Sequence, residues 1–430
     1  MHRGALHHGG GRVQATQGGQ PHGELCRAPF ARPRGRLAHR GQRTVRAQAA
    51  SSEKVSKGIN LLEWGGKLVP QGVLVKGVKA GWRQAWVIMM TELAPQGKDG
   101  AYQRPKQSFT GFISTAPGAE FPFESKRYRL YVGNACPWCH RVLLALAVTG
   151  LAAHIDVTFC VDDAERASRG GWVFDEPEPI FGAKDLREVY DGLSPGFSGR
   201  CTAPFLVDQV ARRPVTDNSG DMMLMFSALS AQRVAPDLPG VDLRPPHLVA
   251  LIDETDEWVY NDVNNAVYQS GFSTTQQAYD AAQARLWPAL DRVEALLQKQ
   301  DFLCGDVVTD ADVRLFPTAA RFDAAYNGIF KCCKRRIGSH YPAIQAWMRR
   351  MYGLAAPPGC PLQSWQTFDV EAAVRSYYGQ LFPLNAGGIV PQSPSMADVL
   401  GLDGDEELER LKGSVGGGVY SYAEGAGVPS

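Results

Sequence analysis

The 430-residue chain predicts an α/β domain followed by an all-α domain, and three observations carry that expectation. Tyr128, Leu130 and Val132 alternate with Arg127, Arg129 and Tyr131, which is the period of a strand. Gly133-Asn134-Ala135 then turns the chain, and Cys136-Pro137 opens a helix carrying Val142, Leu143, Leu146 and Ala147. Proline suits the first helical position because the N–H it lacks has no partner there. Beyond a Pro-rich linker at 235–246, Tyr279, Ala282, Leu286, Leu290, Val293 and Leu297 recur at three- and four-residue intervals and so form one buried helical face.

Taken in order, the first helix closes near Gly150 and a second strand follows at 155–160, so the unit is strand, helix, strand, with a parallel crossover. A polar loop at 162–179 and a short helix at 184–190 come next. Strands are expected at 203–207 and 214–216, and Asn218-Ser219 opens a helix through Leu229. Strand, helix, strand, helix, strand, strand, helix is the order of a thioredoxin-like domain, placed at 126–235, with the all-α C-terminal domain at 245–380. In the helical part, Pro288 is expected to kink or break its helix, and Thr309-Asp310-Ala311-Asp312 has the shape of a capping box. Residues 51–125 read as an N-terminal extension that packs on the main body, with an amphipathic stretch from Trp64 to Met90. Residues 392–430, rich in Gly and Ser around a short acidic helix at 405–411, read as a flexible tail.

An apolar content of 44% suits a globular chain with a sizeable core, and a formal net charge of +1 supplies no field to draw nucleic acid or an anionic membrane. The basic charge is concentrated at residues 1–50, which hold nine arginines, one acid (Glu24) and five histidines, without the apolar centre of a secretory signal. That is the composition of an organelle transit peptide. The expected destination is the chloroplast stroma, with the mitochondrion as the alternative, since serine is scarce here. Apolar runs such as 85–90 fall short of the ~20 residues that cross a bilayer, so no membrane partner is expected. Nine scattered cysteines without a secretory signal argue for reduced thiols.

One pair of cysteines is different. Cys136-Pro137-Trp138-Cys139-His140-Arg141 sits where a strand passes into a helix, and a cysteine there faces unpaired N–H groups and the positive end of the helix dipole, which favour thiolate. His140 and Arg141 either add to that field or are solvated helix residues. Cys-x-x-Cys-His also attaches c-type haem, but haem attachment does not call for this strand-to-helix setting. Zinc requires a second spaced pair, and Cys332-Cys333 are adjacent, so no metal is expected. A buried structural pair is the remaining alternative. Ala203-Pro204, at the start of a later strand, supplies a second element of a redox site.

With those residues in view, the chain resembles the glutathionyl-hydroquinone reductases, the xi class of the glutathione transferases. The resemblance runs from about Arg104 to Pro391. It rests on RYRLYVGNACPWCHR, GWVFDEPEPIFGAKDLREVY and SGRCTAPFLVD in the first domain, and on WVYNDVNNAVYQSGFSTTQQAYD, TDADVRLFPTAARFDAAYNGIFKC and NAGGIVP further on. It implies a glutathione transferase architecture, a cis peptide at Ala203-Pro204, and a homodimer built through the helical domain. It also implies a reaction, in which the Cys136 thiolate attacks the sulfur of a glutathionyl-hydroquinone, releases hydroquinone and forms a mixed disulfide that a second glutathione resolves. Glutathione is the co-substrate; neither metal nor flavin is implied.

By the same resemblance, Tyr268, Tyr326 and one of Tyr377-Tyr378 stabilise or protonate the leaving hydroquinone. Trp172, Arg200, Ala203, Pro204, Asn218 and Ser219 hold glutathione, the last two at a helix N-terminus suited to a carboxylate. Trp172, Tyr268, Phe272 and Tyr326 suggest a flat aromatic substrate. Two positions depart from the family. Asn218 stands where an acidic residue is usual, which removes a partner for the glutathione ammonium, and Cys139 stands where many members carry alanine, which offers a resolving thiol and a glutaredoxin-like side activity. The rival functions are a conjugating glutathione transferase, which a cysteine in the nucleophile position disfavours, and a non-catalytic carrier of aromatic ligands.

Overall fold

The computed structural model describes residues 69–133 and 135–423; the basic leader expected at 1–50 lies outside them. The extension contributes helix α1 (Gln71–Leu93), of which only Met90 is buried. Its last turns are tied down, with Trp86 Nε1 donating to Pro383 O at 2.8 Å. Two short parallel strands follow, β1 (Ile113–Ser114) and β2 (Phe121–Pro122).

The main sheet has five strands in the order β5-β4-β3-β6-β7. Strand β3 (Tyr128–Gly133) lies at its centre, parallel to β4 (Asp156–Asp162) across helix α2 (Pro137–Thr149). Strand β5 (Trp172–Val173) pairs antiparallel at the edge, before helix α3 (Leu186–Leu193). Strands β6 (Phe205–Asp208) and β7 (Arg213–Thr216) complete the sheet antiparallel, and helix α4 (Ser219–Ala231) follows. The alternation that marks β3 does not leave one face wet. Tyr131 is as buried as Leu130 and Val132, because a central strand is covered on both faces, and its hydroxyl donates to Glu178 at 2.8 Å.

The second domain is helical: α5 (Val249–Trp258), α6 (Asn265–Phe272), α7 (Gln276–Leu297), α8 (Asp310–Arg321), α9 (Pro342–Gly353) and α10 (Val370–Gln380). Helix α8 opens on the capping box Thr309/Asp312, where Asp312 Oδ2 accepts from the Thr309 N–H at 3.0 Å. Two single-turn π-helical segments, Val259–Asn264 and Phe322–Tyr326, widen the helices that face the first domain, a feature common at functional sites. One apolar core runs through both domains.

One expectation is narrowed and another corrected. Helix α7 does not break at Pro288 but continues through it as one element, since Leu286, Trp287, Leu290 and Val293 are all buried around it. Burying such side chains is worth about 1.5–3 kcal/mol each and offsets the ~3 kcal/mol an interior proline costs. The C-terminal segment expected to be a flexible tail is packed as far as residue 423. It forms α11 (Met396–Leu400) and α12 (Asp405–Leu411), buries Leu400 and Tyr420, and packs on the linker and the helical domain, with Val308 N–H donating to Val419 O at 2.8 Å and Asp242 N–H to Ser421 O at 2.9 Å. Its glycines hid from the sequence reading a set of backbone partners that only the folded body supplies.

Candidate active site

Cys136 is the residue from which α2 springs, half-buried, with extended φ and ψ of −72° and 124°. That geometry turns its sulfur toward the first unpaired N–H groups of the helix. Burial pushes the thiol up, but the hydrogen bonds from the Cys139 thiol and N–H, the Arg321 charge and the Trp138 N–H together outweigh it and bring Cys136 down to about 7. As a thiol it donates to Ala203 O at 3.5 Å, next to the cis Ala203-Pro204 bond that the resemblance implied. Cys139 is fully buried; burial and its bond to Cys136 push it well up, and its sulfur accepts from the Gly133 N–H at 3.2 Å. The two thiols therefore differ in kind: an anionic one at the surface of the site and a protonated one behind it.

Ala203 and Pro204 open onto a cleft of about 870 Å³ between the domains, which Arg200, Asn218 and Ser219 also line. Asn218 caps α4, its Oδ1 accepting from the Gly220 N–H at 2.8 Å. Ser219 Oγ accepts from Arg141 Nη2 at 2.5 Å and from Arg141 Nε at 3.1 Å. Arg141 is buried, not solvated; burial pulls it down to about 9, and its Nη1 has no partner. Carboxylates ring the same end. Asp221 stands one turn into α4, and Asp256 faces Arg314 at 3.0 Å and is pushed up to about 8 by burial and the charge of Asp310.

Two expected glutathione residues sit otherwise than the sequence suggested. Arg200 reaches the cleft, but its guanidinium is committed to the Leu93 and Glu92 carbonyls at 3.0 and 2.9 Å, closing the end of α1. Trp172 does not line this cleft. It lies on edge strand β5 with its ring against Gly133, three residues ahead of Cys136, where a Cβ would come within 2.2 Å of it.

The tyrosines converge. Tyr377 Oη lies 2.6 Å from Tyr268 Oη and 3.0 Å from Tyr326 Oη, so one hydroxyl links the three. Burial raises all three, and the charge of Cys136 adds to the rise at Tyr268 and Tyr326, which places both within electrostatic reach of the sulfur. Tyr378 points elsewhere, its hydroxyl against Gly328, so of the adjacent pair it is Tyr377 that joins the cluster. Phe272 and Phe330 pack on Tyr268 at ring separations of 5.9 and 5.1 Å.

Sequence reasoning missed three contributors. Trp138, read only as part of a motif, forms the wall between cleft and tyrosines, its ring 6.2 Å from Tyr268. Arg104, from the extension, lies 4.1 Å over that Trp138 ring and donates to Asn265 Oδ1 at 2.9 Å. Arg321 is fully buried behind Cys136, donating to Ala135 O at 3.1 Å and lying 3.0 Å from His140 Nδ1. A lone arginine inside an apolar helical pattern was the only trace of the last. His140 is buried between Phe316 and Phe368, and burial and Arg321 hold it well below the usual imidazole range, so it stays neutral.

Residues 276–350 match the family described as "Glutathione S-transferase, C-terminal domain". The chain is 36% identical over 331 residues to glutathionyl-hydroquinone reductase PcpF of Sphingobium chlorophenolicum, covering 75% of this chain and 96% of that one. It is 33% identical to glutathionyl-hydroquinone reductase YqjG of Escherichia coli, covering 75% and 95%. Among solved structures, the xi glutathione transferase of Phanerochaete chrysosporium superposes with a TM-score of 0.63 at 36% identity, covering 70% of this chain and 94% of that one. The glutathione-bound structure of E. coli YqjG gives 0.59 at 32% identity, covering 69% and 94%. With this thiol at the head of this helix and these relatives over three quarters of its length, the chain belongs to the glutathionyl-hydroquinone reductases, the xi class of the glutathione transferases.

Proposed function

We propose that the protein uses glutathione to reduce glutathionyl-hydroquinones to hydroquinones through a mixed disulfide on Cys136. The observation that carries this reading is the pairing of a thiol held near 7 with buried tyrosines that keep their protons. The Cys136 thiolate attacks the glutathione sulfur of the adduct, forming the S–S bond as the sulfur–aromatic carbon bond breaks. The electron pair goes to the ring carbon, which takes a proton from the site, so the hydroquinone is reduced as the two sulfurs are oxidised. A second glutathione thiolate attacks the mixed disulfide, releases oxidised glutathione and restores Cys136. The phenols linked through Tyr377 are placed to supply the proton.

Ala203, Pro204, Asn218 and Ser219 are proposed to hold glutathione, and Asp221, in the same cleft, supplies a carboxylate where Asn218 has none. Cys139 is proposed as the resolving thiol. Burial raises Cys139 most, and glutathionylation of Cys136 removes the further rise that the Cys136 charge adds; attack by the Cys139 sulfur on Cys136 then releases glutathione and leaves a Cys136–Cys139 disulfide for further glutathione to reduce. A homodimer and delivery of the chain to the chloroplast stroma, or else the mitochondrion, complete the reading; the second rests on the Arg-rich composition of residues 1–50. Light scattering and a fluorescent fusion of those residues test them.

The direct experiment incubates the protein and a Cys136→Ser variant with glutathione and the glutathione adduct of menadiol. Equal release of hydroquinone and oxidised glutathione by the wild type alone is expected. Retention of the adduct without turnover would make the protein a carrier.

A further inference from the structure

Arg321, the last residue of α8, is fully buried, and among the described residues no carboxylate pairs with it. Its Nε and Nη1 are used on the Ala135 and Pro317 carbonyls and beside the neutral ring of His140, while Nη2 has no partner at all. The Phe368 ring lies 4.3 Å from the guanidinium carbon and shuts out water on that side. A guanidinium stays charged, and a buried charge without a counter-ion is costly to keep. Its neighbours show where an anion can form. Ala135, which it grips, immediately precedes Cys136, and Tyr326 and Tyr377 both feel its charge.

We propose that Arg321 is the positioning residue of the active site, a buried counter-charge that holds the strand-to-helix turn through Ala135 and stabilises first the Cys136 thiolate and then the anion that replaces it. The guanidinium stands beside a site whose negative charge changes hands in turnover: a thiolate on Cys136 at rest and, once Cys136 has become a disulfide, the incoming glutathione thiolate that resolves it. The other groups around the sulfur cannot do this. Cys139, the Trp138 N–H and the Cys139 N–H come from α2 itself, the Ala203 carbonyl repels an anion, and Tyr268 and Tyr326 are neutral donors. Arg104, the cation on the opposite wall, also has an unpartnered Nη2, but it lies over the Trp138 ring and donates to Asn265, and the charge that acts on the sulfur is that of Arg321.

The assignment bears on the reductase reading only in its effect on turnover, and its test does not depend on that reading. The rate at which iodoacetamide alkylates Cys136, followed on the peptide that contains it, is measured against pH for the wild type, Arg321→Met and Arg321→Lys. In Arg321→Met the half-maximal rate should move up by at least about one pH unit. Alkylation at pH 6 then falls about tenfold, and the limiting rate at high pH is unchanged. Arg321→Lys, which keeps the charge, should recover most of that shift. If Arg321→Met does not fold, Arg321→Gln, which keeps an amide donor for the Ala135 carbonyl, reads the same profile. A folded neutral variant with the wild-type profile would overturn the proposal and leave Arg321 a packing residue. An unchanged alkylation shift with no reductase turnover in the wild type would instead overturn the proposed function alone.

Discussion

Burial pushes both halves of the active site the same way, and yet they ionise in opposite directions. At the first domain's end, burial pushes Cys136 up, yet helix N–H groups, Cys139 and Arg321 bring it down to about 7. At the second domain's end, burial pushes Tyr268, Tyr326 and Tyr377 up, and nothing reverses it, because each hydroxyl faces chiefly another hydroxyl. The lesson is that desolvation sets the cost of charge while the nearest dipoles decide who bears it. A helix terminus gives the sulfur fixed donors. The phenols are given neighbours that can only pass a proton along. A thiolate beside protonated acids is what cleavage of a carbon–sulfur bond with protonation of carbon requires.

The comparison can be broken from either side. Cys136→Ser removes the anion altogether and should lower turnover by on the order of 10³-fold or more, measured as hydroquinone release. Tyr377→Phe removes the hydroxyl that links the other two and should lower kcat by about 10²-fold with little change in the alkylation rate of Cys136. Tyr378→Phe, its neighbour in sequence, should be close to neutral, since its hydroxyl points at Gly328. The pH dependence sharpens the same contrast. Because folding lowers Cys136 from 9.0 to about 7, the thiolate forms as pH rises through about 7, and the stability it contributes is complete above 9.0 and lost as pH falls from there through about 7. The rate of mixed-disulfide formation should therefore drop about tenfold for each pH unit below about 6.5, with no second fall before pH 9 from the tyrosines.

Smaller effects concern the neighbours. Cys139→Ala should raise the half-point of Cys136 alkylation by up to about one pH unit, and Cys139→Ser, which keeps a donor, by less. If Cys139 resolves the mixed disulfide, both variants should also accumulate glutathionylated Cys136, seen by mass spectrometry at limiting glutathione. Asn218→Asp keeps the cap on α4 and adds a carboxylate to the cleft, so KM for glutathione should fall a few-fold.

Much of this was legible from one-dimensional pattern. The alternation at Tyr128–Val132, the proline after Cys136, the 3.6-residue period in α7 and the Thr309/Asp312 box are local signals, and local physics wrote them. The site residues were legible only in part, through motifs: Cys136, Ala203-Pro204 and the Asn218 cap sit in turns whose chemistry shows in sequence. What was misread depended on distant partners. Glycine and serine near the C-terminus resemble disorder until Gly240, Asp242 and Val308 are seen pairing with Ala423, Ser421 and Val419. Arg200 resembles a free ligand-binding group until Glu92 and Leu93 take it.

By itself, then, the sequence determined the order of elements, the position of the nucleophile at a helix start and the family of the chain, because each of these rests on neighbours a few residues apart. The tertiary structure alone decided which tyrosine of an adjacent pair joins the site, that His140 and Arg141 are buried, and that Arg321 stands behind a sulfur 185 residues earlier in the chain. Charge in a protein is governed by distance through space in a medium of low polarizability, and that distance exists only once the two domains have closed on each other.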